Sequence, residues 1–131
     1  MAQELSATIS NLVQGDNIDI VRTIGTLPAA ITRAWFTVRT RANLDQSTDT
    51  STVVFQKAIT TVNVPGTGVI YDDGSDGTAG VRFELVNADT KLLVGETVYY
   101  YDIQVLTSSS KIYTPEIGVI KTHKDRTKSI S

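Results

Sequence analysis

The residues able to do acid–base, nucleophilic or metal chemistry are few, and their spacing does not favour it. Histidine occurs once, as His123, inside the run Lys121-Thr-His-Lys-Asp-Arg-Thr-Lys128. A Ser-His-Asp set needs an imidazole held between a nucleophile and an orienting carboxylate. A lone histidine in a basic terminal run is instead expected to be solvated and mobile. Cysteine is absent, which removes thiolate nucleophiles, disulfides and Cys-ligated zinc or iron–sulfur sites. There is no Gly-x-Ser-x-Gly elbow and no P-loop, and Gly66-x-Gly68 is followed three residues on by Tyr71 where a dinucleotide fingerprint needs glycine. No cofactor is expected, and the chain is read as not an enzyme.

The sharpest acidic feature is Asp72-Asp73-Gly74-Ser75-Asp76-Gly77. Closely spaced aspartates and glycines can wrap oxygen ligands around a hard cation, so Asp72, Asp73 and Asp76 form a weak metal candidate. The EF-hand register fails, because its third position is Gly74 and its twelfth is Phe83 where oxygen donors are needed. A solvated turn between strands is the preferred reading.

Two groups are candidates for protein contact. Ile31 and Trp35 fall on the strand face opposite Ala34, Phe36 and Val38, either covered by a neighbouring loop or forming an aromatic anchor of the kind that concentrates binding energy. The basic residues Lys121, Lys124, Arg126 and Lys128 form either a solvated tail or an arm that docks on an acidic neighbour. Outside 121–128 the chain holds 8 basic against 13 acidic residues, so a nucleic-acid partner is not expected.

These residues are positioned by strands. Period-two alternation between turn-forming clusters predicts strands at Ser6–Val13, Ile18–Ile20, Ile31–Arg39, Val53–Ala58, Val81–Leu85, Thr97–Thr107 and Tyr113–His123. Only Asn87–Leu93 could hold a turn of helix, with Asn87 or Asp89 as cap and Gly95 past its end. Thr40–Thr52 and Pro65–Gly80 read as long polar loops, which in compact domains are usually functional or mobile. The expectation is an all-β, immunoglobulin-like antiparallel β-sandwich of about 7–8 strands. At 131 residues it is read as one domain spanning 1–131, with short arms at about 1–5 and 124–131. No apolar run approaches the roughly 18 residues needed to span a bilayer, and no membrane partner is expected.

Leu93-Val-Gly95-Glu-Thr-Val-Tyr99 resembles the tyrosine corner of immunoglobulin-like and fibronectin type III sandwiches, with Leu93, Gly95 and Tyr99 as its structural residues. The wider motif order extends this. Gly15-Asp16-Asn17 is followed by Leu27-Pro-Ala-Ala-Ile-Thr-Arg-Ala-Trp-Phe-Thr-Val-Arg39, Val54-Phe-Gln-Lys57, Gly68-Val-Ile70, Tyr100-Tyr-Asp-Ile-Gln-Val105 and Tyr113-Thr-Pro-Glu-Ile-Gly118. Over residues 14–127 this resembles small tailed-phage virion proteins, and is similar to the immunoglobulin-like N-terminal domain of phage upper baseplate proteins. It departs from their pattern at Gln14, where arginine often stands, and at Asn17, where threonine is usual.

The resemblance implies a phage virion structural protein, made in the bacterial host cytoplasm. It would oligomerise and dock on other virion proteins, as a capsid decoration (cement) protein or a baseplate or tail adaptor. A trimer is favoured for a capsid site. The alternative class is a carbohydrate- or receptor-binding module of a phage tail, which requires an exposed aromatic platform beside acidic or amide side chains.

Overall fold

The structure, a computed structural model, describes residues 7–25, 27–40 and 53–123. Eight strands and one helical turn follow in the order β1 (Ala7–Val13), β2 (Ile18–Ile24), β3 (Ile31–Arg39), β4 (Val53–Ile59), β5 (Gly68–Asp73), β6 (Ala79–Leu85), α1 (Asn87–Thr90), β7 (Val98–Thr107) and β8 (Ile112–His123). They form two sheets, of order β1-β8-β7-β3-β4 and β2-β6-β5. β1 runs parallel to β8, and every other pairing of named strands is antiparallel. Placing the second, fifth and sixth strands on one sheet and the third, fourth, seventh and eighth on the other is the strand arrangement of an immunoglobulin-like sandwich. Among the described residues no helix is long and apolar enough to cross a membrane.

Alternation explains the core. Ala34, Phe36 and Val38 of β3, Tyr101, Ile103 and Val105 of β7, and Ala79, Val81, Phe83 and Leu85 of β6 all point between the sheets and are buried. Phe36 sits at the centre, stacked on Tyr101 at 5.2 Å between ring centroids and tilted against Phe83 of the opposite sheet at 5.5 Å.

Polar side chains join the layers at their margins. Arg22 of β2 reaches Glu116 of β8 with Nε 3.0 Å from each carboxylate oxygen, and the Tyr101 hydroxyl donates to the same carboxylate. Near α1, Lys57 Nζ of β4 lies 2.7 Å from both the Gly66 carbonyl and the Asp89 carboxylate. Asn17 Oδ1 accepts from the Asn87 amide at 2.9 Å, and Asn87 Nδ2 donates to the Gly15 carbonyl at 2.7 Å, so the β1–β2 turn is tied to α1. Asp89 accepts from the Val86 amide at 3.0 Å and closes the helical turn from within.

Two expectations need correction. Pro65–Gly80 is not one loop, since it contains β5 and the first residues of β6. Gly68 marks a close backbone approach: a Cβ there, at φ +127°, would lie 2.0 Å from the Arg82 carbonyl oxygen. Ile31 is not on the outer face, being only 1% exposed. The β3–β7 register shifts between Ile31 and Arg33, and this irregularity returns Ile31 to the core side despite its odd parity with Ala34. Most of the expected Thr40–Thr52 loop lies outside the described residues.

Candidate functional site

The groups with catalytic potential are engaged in holding the scaffold. His123 is the last residue of β8, and its Nε2 lies 2.7 Å from the Ser10 carbonyl of β1. Because a carbonyl only accepts, this nitrogen carries the proton and donates. The ring fastens two strands together and is not the loose histidine that its basic neighbours suggest. The Tyr101 phenol is pushed well above the ordinary tyrosine range, first by burial and then by its hydrogen bond to Glu116. It therefore stays a neutral donor to the carboxylate that also holds Arg22.

A second buried pair sits on the outward side of the five-stranded sheet, where Arg39 Nε lies 3.4 Å from Asp102 Oδ2. Thr37 and Ile117 are buried on either side of Asp102 in the adjoining strands. Burial raises the Asp102 carboxyl and Arg39 lowers it, with burial prevailing. Asp102 Oδ1 has no hydrogen-bond partner among the described residues. Alternation alone did not reveal this pair, since it predicts exposure at these positions.

The tyrosine corner is built at the entrance to β7. Leu93 is fully buried, and the Val94 amide donates to the Tyr99 hydroxyl at 2.9 Å. Thr122 of β8 closes the corner, donating to the Val94 carbonyl at 2.5 Å and accepting from the Thr97 amide at 3.1 Å. The left-handed residue here is Glu96, at φ +60°, and not Gly95.

The protein-contact candidates are dispersed. Trp35 is partly exposed on the outward side of the five-stranded sheet, and the Arg33 guanidinium lies 5.6 Å from its ring centroid in a cation–π contact. Lys121 is exposed on the same sheet, opposite Val98 of β7. Trp35 faces Gln104 on β7, six positions from Val98, so the two candidates are roughly 20 Å apart along the strand. Ile31 leaves the set because it is buried. Lys124, Arg126 and Lys128 lie outside the described residues.

The aspartate run forms the turn between β5 and β6. Asp72 Oδ1 accepts from the Gly74 amide at 3.0 Å and Asp73 Oδ1 from the Ser75 amide at 2.9 Å, so each carboxylate fastens the backbone two residues on. The Ser75 amide and hydroxyl hold the Asp73 carboxyl below the usual carboxylate range. Among the described residues no three His, Asp or Glu side chains are grouped to hold a metal ion.

Beside this turn is a residue that sequence reasoning missed. Tyr71 sits where the β5–β6 register shifts between Ile70 and Asp72, and it is 54% exposed. Its ring lies over Gly80 so closely that a Cβ there would come within 2.4 Å of two ring carbons. Tyr71 lines an open pocket of about 480 Å³ together with Thr61, Ile70, Asp72, Asp73, Ser75 and Asp76. The available signal was an isolated aromatic residue preceding a strand glycine, obscured by the loop assignment.

Comparison with known proteins adds little to this geometry. No family model matches the chain, and no curated protein matches it. Among solved structures it is similar to one described in connection with multimeric cell-adhesive interactions of VGSC beta subunits, at 12% identity and a TM-score of 0.42, covering 95% of this chain and 98% of that one. The fold assignment rests on the strand order itself.

Proposed function

We propose that this protein is a non-enzymatic structural component of a tailed-phage virion that oligomerises and docks on neighbouring virion proteins. The observation carrying the proposal is Trp35, a partly exposed aromatic side chain on a central strand, held by Arg33. A rigid, amphipathic ring presented by a sheet loses little entropy on docking, which is why such residues anchor interfaces. The motif order of residues 14–127 supplies the phage context. The roles of His123, Tyr101 and Glu116 as scaffold bonds are consistent with a binding function. In a symmetric particle one shallow contact is repeated many times, so modest affinity per subunit becomes firm attachment.

The test is to image the parent particle by cryo-electron microscopy and to measure incorporation of Trp35→Ala. The chain should occupy regular positions with the Trp35 face against a neighbour, and the variant, folded by circular dichroism, should be lost from particles. Absence of the wild-type chain from assembled particles would overturn the proposal.

A further inference from the structure

The pocket at the β5–β6 turn has a composition that the docking proposal does not use. The Tyr71 ring packs against Gly80 through its hydroxyl-bearing end, and the side chain is 54% exposed, which leaves much of the ring open to a ligand. Alternation from the buried Ile70 places Tyr71 on the outer surface, and the register shift at Ile70/Asp72 leaves it without a paired residue on β6. The absence of a side chain at Gly80 makes room for the ring, because any Cβ there would meet it.

With Tyr71, the acidic residues Asp72, Asp73 and Asp76 and the hydroxyl-bearing Thr61 and Ser75 line the pocket. Asp72 Oδ1 and Asp73 Oδ1 each accept from a turn amide, and the Ser75 hydroxyl also bonds the Asp73 carboxylate, so the turn holds these acids in place beside the ring. Among the described residues no lysine or arginine lines the pocket.

A matching ligand has an apolar face to lie on a flat ring, several hydroxyl or amine donors at its edge, and no negative charge. We propose that Tyr71, Asp72, Asp73 and Asp76 form a saccharide-binding subsite for a neutral or amino-bearing pyranose. The axial C–H face of the sugar stacks on Tyr71 while its equatorial hydroxyls donate to the carboxylates. Uronic, sialic and phosphorylated sugars are excluded by repulsion from the three carboxylates. The inference stands apart from the virion proposal, since it rests on a different sheet and on different residues.

The test is an amide-resolved NMR titration of the full chain with maltose, lactose, N,N′-diacetylchitobiose and the glucosamine disaccharide. Digalacturonate, calcium chloride and a lysine-rich peptide serve as comparators. At least one of the four non-acidic disaccharides should give saturable shifts confined to Thr61, residues 70–76 and Gly80, and digalacturonate should give none. Tyr71→Ala should weaken that binding about tenfold, in line with the loss of an aromatic stacking contact. Tyr71→Phe, which keeps the ring on Gly80, should retain it. Asp76→Asn supplies a second variant of the pocket that leaves the ring in place, and it should also weaken binding.

Silence of all four disaccharides overturns the proposal. So does equal binding of digalacturonate, or undiminished binding by Tyr71→Ala whose other amide signals are unmoved. Shifts of these amides by calcium or by the peptide alone, without any sugar response, would make the pocket a cation or protein-contact site and would equally overturn it.

Discussion

Single side chains in this protein act mainly by satisfying buried polar groups, and two of them make that measurable. Tyr99→Phe keeps the ring but leaves the Val94 amide without its acceptor, so denaturant unfolding should show a loss of about 1–2 kcal/mol with an unchanged m-value. A loss below the error of the extrapolation would mean that water replaces the hydroxyl. Asp102 gives a pH dependence of defined sign. Burial holds its folded carboxyl above the unfolded value despite Arg39. The stability it contributes is therefore full below the unfolded carboxylate range and is lost as pH rises through the folded value. Wild type should gain on Asp102→Asn as pH is lowered from 7 to 4, measured by chemical denaturation at intervals. Parallel curves would refute the assignment. The Leu93-to-Tyr99 spacing made the first of these residues legible in sequence. Asp102 was not legible, because alternation places it outward and only the tertiary structure buries it beside Arg39.

Strands are where the sequence was most and least readable. β3 and β7 are legible since alternation over nine and ten residues leaves little choice of face. β5 was hidden because its six residues begin with glycine and end with two aspartates, a composition that marks turns when read locally. What makes it a strand is pairing with β6, which a local reading does not contain. Substitution of glycines should separate the two meanings of that residue. Gly68→Ala drives a methyl into the Arg82 carbonyl at a left-handed φ and should destabilise by roughly 3 kcal/mol or more, detaching β5. Gly25→Ala, with no described residue within 4 Å of the added carbon, should stay within about 0.5 kcal/mol of wild type. Thermal unfolding of the pair is sufficient, and equal effects would contradict the close approach. The irregularity at Ile31/Arg33 teaches the same lesson for a site residue: an inserted position reverses the face, so Ile31 was misread as a surface candidate.

The whole molecule is two sheets held face to face by apolar packing, with polar fastenings at the margins. Arg22, Glu116 and Tyr101 form one fastening between the three-stranded and five-stranded sheets, and Lys57 with Asp89 ties β4 of the five-stranded sheet to α1. A double-mutant cycle on Tyr101→Phe and Glu116→Gln should give a coupling of about 1 kcal/mol, since the residues share one hydrogen bond in a partly shielded place. Simple additivity would mean that packing alone sets the spacing of the sheets. One further consequence follows from the parallel pairing of β1 with β8, in which Ala7 lies beside Gly118 and Val13 beside His123. A chain drawn at the start of β1 and at the end of β8 pulls these neighbours past each other lengthwise. All the bonds of the pair then resist together and do not open one after another from an end. The first and last strands are thus arranged as a shear joint, a geometry that gives a small cysteine-free domain resistance to tension along its own axis.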